Sequence, residues 1–164
     1  MEKEPSSLVS RKPSLSIAVV MQRRPANSRW ADWVWEPWSV LPGSAAEGAA
    51  RVLIEKDGVT QWLHAGFTLY LHRDELEGYY LNVSSGNARV FVLWRMEGEQ
   101  GLPLDVTVSY DEGGRWLDGG HSVDTVAMPP DIFAWVGEYV EQNYRPQPKK
   151  RIKPRSFQHP KDRV

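Results

Sequence analysis

Catalysis needs nucleophiles, acid–base pairs or metal ligands at workable spacing, and this chain of 164 residues offers few of them. It contains no cysteine, which removes a thiolate nucleophile, a zinc ribbon, an iron–sulfur cluster held by its own thiolates and a disulfide framework. His64 and His72 share one face of an extended segment. Eight residues at strand rise place them about 26 Å apart, too far for one metal ion unless Gly66 folds the strand. Asp74 and Glu77 offer a carboxylate pair for proton transfer, but nothing beside them specifies a substrate, and Arg73 to Glu77 reads as a solvated loop or a single helical turn. Asp111-Glu112-Gly113 and Asp118-Gly119 lack the ligand spacing of a calcium loop and read as turns. Ser85-Gly86 lacks the frame of a nucleophile elbow, and no glycine-rich phosphate loop is present. An enzyme is therefore not expected, nor a bound cofactor or metal.

The residues that could do chemistry of another kind, binding, are concentrated early in the chain. Four of the eight tryptophans fall between Trp30 and Trp38. An indole is large and rarely wholly buried, so four in nine residues cannot all be core. Trp33 and Trp35 share a strand face and are expected inside, with Trp30 or Trp38 partly exposed. Exposed indoles among Arg23, Arg24 and Arg29 have the composition of a protein-interaction hot spot. The same interleaving can stack single-stranded nucleic acid, but Asp32 and Glu36 lie within it.

The charge is divided between body and tail. Residues 145–164 carry eight basic side chains against Asp162 alone, a net +7, and residues 1–14 carry a net +1. The whole chain stands at -1, which leaves -9 for residues 15–144. The tail, with Lys149, Lys150, Arg151, Lys153, Arg155 and Phe157 among four prolines, has too few apolar residues to offset its ordering entropy. It is expected to be flexible, either as a solubilising segment or as a docking arm for an acidic protein surface. An acidic body repels phosphate, so nucleic acid ranks second.

These residues need elements to position them. Leu15, Ile17, Val19 and Met21 alternate with Ser16, Ala18, Val20 and Gln22, the period of a strand. A second strand carries Trp33 and Trp35, and Pro37 is expected to introduce a bulge, after which Trp38 and Val40 rejoin that face. Asp57-Gly58 marks a hairpin between Arg51 to Glu55 and Val59 to His64. Tyr79 to Val83 and Ala88 to Met96 read as another hairpin around Ser84 to Asn87, its second arm apolar on both faces and so central. Leu104 to Tyr110 and Ser122 to Ala127 complete the strands. Pro129-Pro130 opens a helix over about 130–144, with Ile132, Val136 and Val140 at helical spacing, Phe133 and Tyr139 widening the apolar stripe, and Gly137 where close packing against a sheet is expected. The organisation predicted is a flexible arm over 1–14, one β-rich domain over 15–144 and a basic tail over 145–164. The fold class is mainly β, α+β in detail: an antiparallel sheet or partly open small β-barrel of about seven to nine strands with one C-terminal helix.

The early apolar run, Leu15 to Met21, is far short of the ~18 residues a spanning helix needs and is followed by Gln22, Arg23 and Arg24. It lacks the long apolar core and the cleavage site of a secretory signal. A cytoplasmic protein without membrane contact is expected.

Three segments carry a family resemblance: Val19 to Pro25 with Ala26 to Trp30, then Trp33 to Pro42, then Met128-Pro129-Pro130 leading into the helix and the Pro/Lys/Arg tail. Together they resemble the bacterial proteins grouped as domain of unknown function 3305, over most of the chain from about Ser14 onward. Proteins of that kind are typically encoded beside molybdenum-dependent formate dehydrogenases, with a TorD-like chaperone and a small ferredoxin-like protein nearby. The resemblance implies an accessory role in maturation or assembly of the dehydrogenase, with a molybdoenzyme subunit or its chaperone as the partner. It brings no catalytic residues. The alternatives from the residues themselves are a nucleic-acid-binding protein and a small-molecule-binding barrel with its mouth near Trp62 and His64.

Overall fold

The computed structural model describes residues 12–43 and 50–145. The basic tail with Lys149, Lys150, Arg151, Lys153, Arg155 and Phe157 lies outside the described residues, as does most of the N-terminal arm.

The alternating segment forms β1 (Ser14–Pro25), the longest-paired strand of the molecule. It lies between β2 (Trp33–Pro42) and β4 (Val59–Tyr70), and β3 (Arg51–Lys56) adds to the far side of β4, giving an antiparallel sheet in the order β2-β1-β4-β3. Ile17, Val19 and Met21 point into the main core, while Ala18 and Val20 on the opposite face are buried with Leu63. Asp57 and Gly58 both take positive φ, 58° and 83°, the conformation that a two-residue hairpin turn demands. Gly66, at φ 95°, absorbs an extra residue of β4 where its register against β1 shifts, so the strand continues and does not fold back.

A second antiparallel sheet has the order β6-β5-β7, built from β5 (Arg89–Glu97), β6 (Gln100–Thr107) and β7 (Ser122–Ala127). The two-sided apolar strand is central, as its sequence requires. Val90 and Val92 join Val106 and Val126 in the core shared with the first sheet, and Phe91 faces the other way. The seven described strands make a mainly β molecule, but in two sheets that do not close into a barrel.

Among the described residues three α-helices stand where one was expected. The C-terminal helix is present over Pro130–Asn143, with Ile132, Val136 and Val140 buried. Two more, α1 (Leu76–Val83) and α2 (Tyr110–Asp118), occupy segments read as strand and turn; the C-terminal helix is α3. Leu76, Tyr79 and Val83 repeat at i, i+3 and i+7 and pack into the core, a helical stripe masked by β-prone neighbours. In α2, Ser109 caps the helix by accepting the Glu112 N–H at 3.1 Å, the first half of a Ser-x-x-Glu box. Its glycines suggested a turn, yet a Cβ at Gly113 would collide with the Phe91 ring, so glycine there lets helix and sheet approach. At Gly137 the expectation of close packing fails, because a Cβ there would meet no atom within 4 Å. Phe133 is exposed, while Tyr139, edge-on to Tyr79 at 6.1 Å, and Trp135 extend the α3 stripe. No helix among the described residues is long and apolar enough to cross a membrane.

Candidate functional site

Hairpin register assembles the site. Arg29 sits at the centre of the β1–β2 connection, so Arg23 and Trp35, each six residues away, pair across the strands, and Trp33 pairs with Pro25. On the other side of β1, Met21 pairs with Trp62. Side chains directly opposite or diagonal share a face, which brings Arg23, Trp33, Trp35 and Trp62 together. The Arg23 Cζ lies 4.0 Å from the Trp33 ring centroid, 5.5 Å from Trp62 and 5.9 Å from Trp35. Trp35 and Trp62 stack with centroids 5.0 Å apart and planes 23° from parallel. A Cβ on Gly101 would come within 3.1 Å of Trp35, so β6 lies directly across that indole. Gly58 similarly abuts Pro25. The tips of the β1–β2 and β3–β4 hairpins and the start of β6 therefore meet at one end of the molecule.

Arg24, the next residue, belongs to the opposite face. Its Nε donates to Glu36 Oε2 at 2.9 Å, the same oxygen accepts from Gln22 Nε2 at 3.0 Å, and Gln61 Nε2 donates to Gln22 Oε1 at 2.7 Å. This is a polar ladder across three strands. The Arg23-Arg24 pair is thus divided between two surfaces by the two-residue period of the strand.

Arg29 and Trp30 lie exposed in the loop, which the Ala26 N–H closes on the Asp32 carbonyl at 2.9 Å. Trp30 is 89% exposed, its backbone held through an N–H donated to Ser28 Oγ at 3.0 Å. Trp38 is 54% exposed. The bulge near Pro37 is real: Pro37 pairs with Met21 and Ser39 with Val20, leaving Trp38 as the extra residue, while Val40 alone returns to the core. Trp33, expected inside, is 41% exposed, because at the hairpin end it covers Arg23 and is itself covered by nothing comparable. Trp38 lies five residues beyond it, roughly 16 Å along the strand, and is not part of the same cluster.

Sequence reasoning linked Trp62 to His64 and missed its place beside Arg23, although a hairpin centred on Arg29 already predicts the Arg23–Trp35 pairing. His64 is half-buried and burial pushes its imidazole below the ordinary value. His72 lies beyond the end of β4, just ahead of a short turn of helix at Arg73–Glu75. No three metal-ligating side chains gather among the described residues. The engaged carboxylate is that of Glu75, not Asp74 or Glu77: it accepts from Ser109 Oγ at 2.5 Å and from Arg115 at 2.6 Å. That arrangement ties α2 to α1, with the hydroxyl engaged both by the Glu75 carboxylate and by the Glu112 N–H that it caps.

Residues 16–153 match the family model described as Protein of unknown function (DUF3305). The chain belongs to that family. Among curated proteins and among solved structures, nothing matches it. The DUF3305 description carries no activity, so what the site does has to follow from its own chemistry: indole faces, a held guanidinium and an exposed loop.

Proposed function

We propose that the chain is a non-enzymatic accessory protein that supports maturation or assembly of a formate dehydrogenase-type molybdoenzyme by binding protein. The observation that carries the docking part is the exposure of Trp33 over Arg23 at the hairpin-tip end, with Trp30 exposed in the loop that joins the same two strands. Aromatic and arginine side chains of this kind anchor protein interfaces, because they exclude water over a large area at low entropic cost. The dehydrogenase enters through the family resemblance carried by the Arg-Arg-Pro and Trp-rich segments and by the Met-Pro-Pro helix start. The basic tail would steer the chain to an acidic partner surface, with a strong dependence on salt.

The nucleic-acid reading is weakened by the division of Arg23 from Arg24, since a phosphate backbone requires cations along one continuous track. The barrel reading loses its mouth, because the two sheets do not close. The deciding experiment is mild affinity purification of the tagged chain from its native host, with and without nuclease, followed by mass spectrometry. Recovery of a molybdoenzyme subunit or its chaperone after nuclease treatment is expected; recovery of nuclease-sensitive material alone would overturn the proposal.

A further inference from the structure

Among the described arginines, Arg24, Arg95 and Arg115 each face a carboxylate, on Glu36, Glu97 and Glu75, Arg89 donates to Thr125, Arg145 donates to backbone carbonyls, and Arg29, Arg51 and Arg73 lie exposed to water. Arg23 differs. Its Nε is buried and has no hydrogen-bond partner among the described residues, and no described carboxylate lies within 4.0 Å of the side chain. A buried donor left unpaired carries a cost of its own, about 1–3 kcal/mol and more when charged, so this side chain is held by its indole contacts and not by a hydrogen bond at Nε. Three indoles hold the guanidinium in place, so its fork geometry is fixed before anything binds.

We propose that Arg23, clamped among Trp33, Trp35 and Trp62, is a receptor for a carboxylate on an acidic segment of a protein partner, with Trp33 and Trp30 covering an adjacent apolar side chain. This rests on the docking reading above and names the partner's chemistry. A planar guanidinium pairs with a carboxylate through parallel N–H···O bonds, and such a pair strengthens when indole faces shield it from water. Arg23 as a whole is only half-buried although its Nε is sealed, and its backbone is paired on both sides within β1. The terminal nitrogens are therefore the groups left to meet a ligand. The nearest strand carboxylate in sequence register, Glu36, is already engaged by Arg24 and Gln22 on the other face and cannot serve. A single fixed cation suits one carboxylate better than a run of phosphates.

The test is to pan a displayed library of linear peptides against the full chain and titrate the best binder, following indole fluorescence. Enriched peptides are expected to carry Asp or Glu beside an apolar residue. Replacing that acid by its amide in the peptide should weaken binding at least tenfold, a change that leaves the protein untouched and cannot be a folding artefact. Arg23→Lys, which keeps the charge and loses the fork, should weaken binding similarly with an unchanged melting profile, while Arg95→Gln stays within twofold. Neutral binders, or affinity indifferent to the peptide acid, would overturn the carboxylate receptor and leave docking intact. An Arg23-dependent response to a short single-stranded oligonucleotide, with none to acidic peptides, would overturn it in favour of phosphate. Failure to enrich any peptide overturns it as well, and the purification experiment then decides whether the docking reading falls with it.

Discussion

The two ends of this molecule treat buried polar groups in opposite ways. At the helical end, Asn82 is fully buried and fully used: its Nδ2 donates to the carbonyls of Arg89 and Val108 at 2.7 and 2.8 Å, and its Oδ1 accepts the Arg89 N–H at 2.9 Å. Tyr79 beside it accepts the His72 N–H at 2.9 Å and is otherwise sealed in, with burial raising its hydroxyl far above the ordinary value. At the hairpin-tip end, Arg23 Nε has no partner and two tryptophans face solvent. Satisfied polar groups fix a structure, whereas on the proposal made above the half-buried Arg23 beside exposed indoles is placed to meet another molecule. The first end is closed by its own hydrogen bonds, and the second presents indole faces to solvent.

The contrast is sharpest at Asn82. Asn82→Ala strands two carbonyls and an amide in the core and should cost about 3 kcal/mol in urea unfolding. An Asn82→Ala protein as stable as the parent would dissolve the distinction between the ends. Gly137→Ala should act in the opposite direction, raising stability by up to about 1 kcal/mol, because the site is open and alanine is the better helix former. His64, nearer the working end, should contribute a smaller, pH-dependent effect. Burial holds its folded pKa below the unfolded one, so its contribution is complete above the unfolded value of about 6.5 and is lost as pH falls through the folded pKa. The difference in stability between parent and His64→Gln across pH 5–8 isolates that slope. Trp30→Ala should change stability least, within about 0.5 kcal/mol, since a side chain in water has little packing to lose. Thermal melts check this, and a large loss there would make Trp30 a structural residue.

Much of the β framework was legible because alternation and turn chemistry act locally. Leu15 to Met21, Asp57-Gly58, the two-sided apolar β5 and the proline-led α3 all announce themselves within a few residues. The helices α1 and α2 did not, since Gly78 and Gly113 lower helix propensity. Both are glycine because another element passes too close for a Cβ, Ser109 at one and Phe91 at the other, and only tertiary packing reveals that. The division into two sheets was hidden for the same reason, as strand partners are set by contacts distant in sequence. At the candidate site, Trp30 and Arg29 were found by composition. Trp33 was placed inside because parity assigns a face without revealing that the face ends at the hairpin tip, and the role of Trp62 needed the β1–β4 register.

An outermost strand is an open invitation to polymerise, and β3 extends one with Val52, Leu53 and Ile54 all exposed. The register against β4 breaks between Val52 and Ile54, leaving Leu53 as an unpaired extra residue. An arriving strand would find its hydrogen-bonding row out of step halfway along, between the charges of Arg51 at one end and of Glu55 and Lys56 at the other. A surplus leucine at that point interrupts the row that strand addition needs, so deleting Leu53 is expected to make this margin more prone to aggregate.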